Sequence, residues 1–138
     1  MLEWLLGKSF DPEKDIPSLD GKVILVTGGA WKLNDPACAP LMSSTGNAGL
    51  GKETILQLAK HHPKEIFLAA RTQLKAEDAI QEIKEAVPEN NISYIELDLT
   101  SFASVHAAAE EVKSRSDRLD ILINNAGDYS CTRSQVQD

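Results

Sequence analysis

Four short apolar runs divide the chain. Residues 23–26 read Val-Ile-Leu-Val, and residues 65–70 read Glu-Ile-Phe-Leu-Ala-Ala. Residues 91–97 and 119–123 supply a third and a fourth run. Apolar residues packed without alternation over so few positions predict strands covered on both faces. Between the runs the apolar spacing lengthens to a helical period. Leu50, Ile55, Leu58 and Ala59 predict a helix over 48–61, stopped by Pro63. Thr72 is placed to cap a second helix whose inner face is Leu74, Ala79, Ile80, Ile83 and Val87, with Pro88 beyond its end. Thr100 or Ser101 is placed to cap a third, with Phe102, Val105, Ala108, Ala109 and Val112 inward.

Strand and helix in alternation predict an α/β fold with a parallel sheet and right-handed crossovers. Four strands amount to about half of a Rossmann-like, doubly wound sheet, in the order 3-2-1-4. The organisation expected is a short helix and linker over 1–20, a half-domain over 21–127 with an insertion at 30–46, and an irregular tail over 128–138. Trp4, Leu5 and Leu6 suit a short surface helix or, as the alternative, a membrane-touching one. Pro12 and Pro17 mark the linker.

Composition narrows the function. The 138 residues are 42% hydrophobic and 25% charged, so a packed core is affordable, and the net charge of -7 argues against a nucleic-acid partner. No apolar run is long enough to span a bilayer. Cys38 and Cys131 are far apart and fit neither a metal spacing nor a disulfide framework, which points to a reducing, cytoplasmic setting. His61, His62 and His106 form no metal set, so no metal is expected.

The candidate chemistry sits where the first strand ends. Thr27, Gly28 and Gly29 close that strand, and Gly46-Asn47-Ala48-Gly49-Leu50-Gly51 opens the next helix. With residues 30–46 removed, the two pieces join as Thr-Gly-Gly-Asn-Ala-Gly-Leu-Gly. Glycines at such a turn permit positive φ, bring backbone close to a pyrophosphate and let helix and strand pack, while helix N–H groups face the phosphate oxygens. Residues 30–46 hold Pro36, Pro40, Asn34, Asp35 and a Ser43-Ser44-Thr45 cluster, and show no period. A loop that long between strand and helix is rare. It is either a functional lid or an added segment, such as a retained intron. Closing it costs about 2–3 kcal/mol of chain entropy, which folding can tolerate. Phosphate binding is less tolerant, because Gly29 and Asn47 must converge.

Four motifs agree in order: the interrupted glycine turn, Leu-Ala-Ala-Arg ending at Arg71, Leu-Asp-Leu-Thr around Asp98, and Asn-Asn-Ala-Gly from Asn124 to Gly127. Together they resemble the N-terminal half of a short-chain dehydrogenase/reductase, of the fungal and retinol-dehydrogenase-like kind. Arg71 lies about twenty residues past Gly51, where an arginine accommodates a 2′-phosphate and an acidic residue would instead bind the ribose. The resemblance therefore implies NADP rather than NAD. It implies a cofactor site made of Gly28, Gly29, Asn47, Gly49, Leu50, Gly51, Arg71, Asp98, Leu99, Asn124, Ala126 and Gly127. In it the Asp98 carboxylate meets the adenine amino group, Leu99 lies beside the ring, and the Asn124 turn lies by the adenosine ribose. Asp98 also reads as an aspartate at a helix N-terminus, and Asn124 and Asn125 as purely structural.

The same resemblance implies hydride transfer between nicotinamide and a small carbonyl or alcohol, using a Tyr-x-x-x-Lys pair and an upstream serine. The expectation is that this chain stops before them. Tyr129 with Arg133 imitates the pair, but it follows Gly127 directly, and arginine stays protonated. Ser43, Ser44 and Ser130 have no neighbouring base, so no catalytic residue is named. Whether the chain is itself an enzyme stays open: it reads as an oxidoreductase by family and as inactive in this form. The substrate would be a partner only of a full-length form. The alternatives are a non-catalytic nucleotide-binding or dimerising module, a homo-oligomer through an open edge with Ile121 and Ile123 exposed, or an inactive product of mis-splicing or gene decay.

Overall fold

The computed structural model describes residues 10–28 and 49–127. In chain order the elements are α1 (Pro12–Asp15), β1 (Val23–Thr27), α2 (Leu50–Ala59), β2 (Glu65–Ala70), α3 (Gln73–Ala86), β3 (Ile92–Glu96), α4 (Phe102–Arg115) and β4 (Ile121–Ile123). The strands form one sheet in the order β3-β2-β1-β4, and every pairing is parallel. This is the doubly wound order expected from the alternation of apolar runs.

Each strand side chain alternates between two cores. Ile24, Val26, Ile66, Leu68 and Ile92 meet Ile55 and Ala59 of α2 and Ala76, Ile80 and Ile83 of α3 on one face. Val23, Phe67, Ala69 and Ile95 meet Ala108 and Val112 of α4 on the other. Burial on both faces is why β2 is apolar from Ile66 through Ala70. Phe67, Ile24, Ile55, Ile66 and Leu68 are fully buried, and their loss of water contact is the main stabilising term.

The helix phases differ from the sequence expectation at several positions. Ala76, Ala79, Ile80 and Ile83 form the inner stripe of α3, while Leu74 is 74% exposed. Leu74 precedes Ile83 by about two and a half turns, so it faces the opposite way. In α4 the inner residues are Ala108 and Val112, whereas Phe102 is 89% exposed and Ala109 is also exposed. Leu50 likewise faces out of α2. Thr72 occupies the cap position of α3 without a side-chain capping bond. Ser101 does cap α4, its hydroxyl oxygen accepting the Ser104 N–H at 3.3 Å.

The segment before β1 is tied down. Asp11 caps α1 by accepting the Glu13 N–H, and Leu19 is buried in the first core. The Leu19 N–H donates to the His61 carbonyl, and the His61 ring nitrogen lies 2.9 Å from the Pro12 carbonyl oxygen. His61 therefore has a structural contact beyond the surface role expected of it. Four residues before Pro63 α2 ends, and His62 takes the left-handed conformation that turns the chain towards β2.

β4 is shorter than expected, and Leu119 lies outside it, 43% exposed. Asp120 anchors its start. The Val23 N–H donates to the Asp120 carboxylate at 2.9 Å, Arg118 pairs with both carboxylate oxygens, and the Lys22 ammonium is 3.5 Å away. The apolar exposure near this edge falls on a different residue from those expected. Ile121 and Ile123 are half-buried against the first core, and Leu122, on the α4 side, is 52% exposed. Parity explains the change: Ile121 and Ile123 share a face that α2 and α3 cover, and Leu122 points to the face where α4 covers only the β3 side. Among the described residues no helix is long and apolar enough to cross a membrane.

Candidate functional site

All four strands run the same way, so their C-terminal ends share one edge of the sheet. That edge carries Gly28 after β1, Arg71 after β2, Asp98 after β3 and Asn124 to Gly127 after β4. The chain moves outward from β1 to β2 and β3, then returns to place β4 on the other side of β1. The reversal lies between β1 and β4, where open α/β sheets leave a crevice for ligands.

Gly28 sits at that reversal with φ +72°, a left-handed conformation. A Cβ added there would lie 2.8 Å from the Ala126 Cα. Glycine is thus required twice, by backbone conformation and by the approach of the turn after β4. Hydrogen bonds hold the two turns together. The Thr27 hydroxyl oxygen accepts the Ala126 N–H at 3.0 Å. The Asn125 side-chain amide donates to the carbonyls of Thr27 at 3.0 Å and Gly28 at 3.3 Å. The Gly28 N–H donates to the Ala69 carbonyl, joining β2 to the same lock.

Thr27 and Asn125, which are absent from the expected site, therefore shape it. Their signal was present in the Thr-Gly and Asn-Asn pairs, but which asparagine turns inward depends on the path of the turn. Asn124 is exposed, as are Ala126 and Gly127.

On the other side of the crevice α2 begins. Gly49 is its buried cap residue and, having no side chain, makes no side-chain capping bond to the N–H groups of the first turn. Gly51 is buried in that turn, and Leu50 points outward. Uncapped N–H groups with the helix dipole behind them favour an anion. Gly29 and Asn47, expected beside them, lie outside the described residues, as do the insertion, Tyr129, Arg133, Ser130, both cysteines and the tail.

Arg71 and Asp98 follow neighbouring strands. Two bonds to the Ala70 carbonyl fix the end of β2, one from the Tyr94 hydroxyl at 3.0 Å and one from the Leu97 N–H at 3.1 Å. Burial, with the Glu96, Glu111 and Glu77 carboxylates adding to it, raises the Tyr94 phenol above its usual value and keeps it a donor. Arg71 emerges directly after this anchor and is exposed. Asp98 is held by its own turn. Its Oδ1 accepts the Thr100 N–H at 2.9 Å and the Thr100 hydroxyl at 2.8 Å, and its N–H donates to the Ser104 hydroxyl. The Thr100 N–H, then the Thr100 hydroxyl, and to a smaller extent the Arg71 charge hold the Asp98 carboxyl below the usual carboxylate range. Both readings of Asp98 coexist: it organises the approach to α4 and stays an ionised acceptor at the edge. Leu99 beside it is 56% exposed.

The edge thus gathers the N–H groups of a helix start capped by glycine, a guanidinium, an ionised carboxylate and an exposed apolar side chain. That set suits an anionic ligand with a planar, hydrogen-bonding ring. Among the described residues no cluster of three or more His, Cys, Asp or Glu side chains could hold a metal ion.

The family model for short chain dehydrogenase matches residues 41–138. A short chain dehydrogenase/reductase of Colletotrichum higginsianum is 40% identical over 115 residues, which is 81% of this chain and 24% of that protein. Dehydrogenase/reductase SDR family member 13 of Bos taurus is 35% identical over 124 residues, covering 90% of this chain and 28% of its own. Among solved structures, L-sorbose reductase from Gluconobacter frateurii, complexed with NADPH and L-sorbose, superposes with a TM-score of 0.61 at 26% identity, over 80% of this chain and 35% of that one. A metagenomic short-chain oxidoreductase in complex with NADP gives 0.62 at 25% identity, over 80% and 41%. The chain spans 24% and 28% of the length of these two curated relatives.

Proposed function

The chain belongs to the short-chain dehydrogenase/reductase family, and from that premise we propose that its strand-end edge binds the adenosine half of NADP. The cofactor would serve hydride transfer between nicotinamide and a small carbonyl or alcohol in a full-length form. Gly28, Gly29, Asn47, Gly49, Leu50 and Gly51 would face the pyrophosphate. Arg71 would take the 2′-phosphate, Asp98 the adenine amino group and Leu99 the ring. Asn124, Ala126 and Gly127 would lend backbone beside the ribose.

The observation that carries this reading is the juxtaposition of exposed Arg71 and ionised Asp98 at the ends of β2 and β3. A guanidinium matches a phosphate in shape and charge, and an ionised carboxylate accepts from an amino group. Two relatives of similar fold were solved with NADPH or NADP. The residues present fit the cofactor, and Gly49, the cap residue of α2, places no side chain where its diphosphate would lie.

The 138-residue chain by itself is proposed to bind weakly, because the insertion separates Gly29 from Asn47, and to turn over no carbonyl. Titration with NADPH and NADH tests both points. Whatever binding exists should favour NADPH, and Arg71→Ala should remove the preference, a change of about tenfold or more for a lost charge-assisted contact. Equal affinity for the two cofactors would defeat the assignment of Arg71. Micromolar NADPH affinity would defeat the argument from the insertion.

The cytoplasmic setting rests on the two widely spaced cysteines. A second reading, a non-catalytic module that pairs with another chain, has one observation in its favour: Leu122 is half exposed on β4, the edge strand of the sheet among the described residues. Light scattering after size exclusion separates the readings, since a defined dimer supports the module.

A further inference from the structure

We propose that Tyr94 is a positioning residue for cofactor choice: its hydroxyl, by holding the Ala70 carbonyl, sets where Arg71 stands relative to Asp98. The proposal rests on the cofactor reading above and adds to it a residue that itself touches no ligand.

Tyr94 lies on β3 opposite Leu68 of β2 and is half-buried against the first core. Ala70 is two residues further along β2, about 6.6 Å, and the phenol spans that distance. Its hydroxyl donates to the Ala70 carbonyl at 3.0 Å. The Leu97 N–H donates to the same oxygen at 3.1 Å. The Ala70 carbonyl and the Arg71 N–H belong to one planar peptide unit, so two donors on its oxygen fix the point and direction from which Arg71 leaves the sheet. The second donor belongs to the residue before Asp98, so the same oxygen ties the origin of Arg71 to that of Asp98. On the far side the Thr72 carbonyl accepts the Ala76 N–H at 3.2 Å, which holds the entry to α3. Arg71 thus lies between two fixed points. A phenylalanine at position 94 would fill the same space, so packing alone does not call for the hydroxyl.

The consequence is for choice between nucleotides. One that carries both adenine and a 2′-phosphate must meet Asp98 and Arg71 together, and a guanidinium forked onto a phosphate is sensitive to direction. One without that phosphate makes no demand on Arg71. Loosening the Ala70 carbonyl therefore weakens the first and spares the second. In Tyr94→Phe the Leu97 N–H still satisfies this carbonyl, so β2 keeps its end while Arg71 gains freedom.

NMR titration of the full chain with adenosine 2′,5′-bisphosphate and adenosine 5′-monophosphate tests this, since both probes engage only the adenosine end. Wild type should prefer the bisphosphate, and Arg71→Ala should abolish the preference. Tyr94→Phe should reduce it about three- to tenfold, the worth of one hydrogen bond, with affinity for the monophosphate unchanged. Asp120→Asn, at the opposite end of the sheet, should lower the unfolding midpoint and leave the preference intact. Full preference in Tyr94→Phe, or an equal loss of both affinities, would overturn the proposal and leave the cofactor reading standing. A preference that survives Arg71→Ala, or binding of neither nucleotide, would defeat the cofactor reading and this proposal with it. Should Tyr94→Phe not fold, fluorine NMR of the fluorotyrosine-labelled chain replaces it. The chain has two tyrosines, so Tyr129→Phe assigns the Tyr94 signal. That signal should move with the bisphosphate and not with the monophosphate, and an equal response to both would overturn the proposal.

Discussion

Gly28 and Ala126 touch so closely that no side chain fits between them: a Cβ on Gly28 would lie 2.8 Å from the Ala126 Cα. With φ at +72°, Gly28→Ala combines a strained backbone with a clash against main chain, which cannot rotate away. The expected loss is about 2 kcal/mol or more. Urea unfolding of the variant checks it, and a cost under half of that would mean the two turns separate easily.

Asn125 and Asn124 should behave differently although they are neighbours. Asn125 donates to two carbonyls of the β1 turn, and Asn124 is exposed. Asn125→Ala leaves those carbonyls without their donor and should cost about 1–3 kcal/mol. Asn124→Ala should stay within about 0.5 kcal/mol of wild type. Denaturation midpoints of the two variants, measured side by side, decide the matter.

Asp120 should give the fold a specific acid sensitivity. Arg118 first, then the Val23 N–H, lower its carboxyl to about 2, and the Lys22 charge adds to this. A carboxyl depressed in the folded state contributes stability above its unfolded value of about 3.9, and that contribution fades as the pH falls towards 2. Asp120→Asn should lower stability at neutral pH and flatten this part of the acid limb. Parallel limbs for wild type and variant between pH 4 and about 2 would contradict the assignment.

Leu122 should govern association. It is 52% exposed on a face that α4 leaves open, on the strand that ends the sheet among the described residues. Leu122→Lys removes apolar surface from an edge strand and adds a charge that discourages pairing. The variant should show less concentration-dependent light scattering than wild type with nearly the same unfolding midpoint. Unchanged scattering would place the sticky surface elsewhere.

Much of this was legible in the order of residues. The uninterrupted run at Ile66 to Ala70 announced a strand buried on both sides, and β2 has the bounds expected of it. Glycines and the Arg71, Asp98 and Asn124 motifs marked the edge, because ends of parallel strands must collect on one side of the sheet. Less legible were the phases of helices. Leu74 and Phe102 look like core residues by type, yet each begins a helix at an angle that turns it outward. Asp120 carried no motif, and its partners Val23 and Lys22 lie almost a hundred residues earlier.

Sequence alone determined the element types, the parallel order and the family, because apolar period, turn chemistry and glycine spacing act over a few residues at a time. Tertiary structure alone decided that Asn125 rather than Asn124 closes the β1 turn, that Leu122 rather than Ile121 or Ile123 is exposed, and that Gln57 holds a buried acceptor without a donor among the described residues. Those outcomes depend on which surfaces meet across the sheet. A local pattern sets how far each side chain is rotated from its neighbours, but only the packed elements set what lies opposite it.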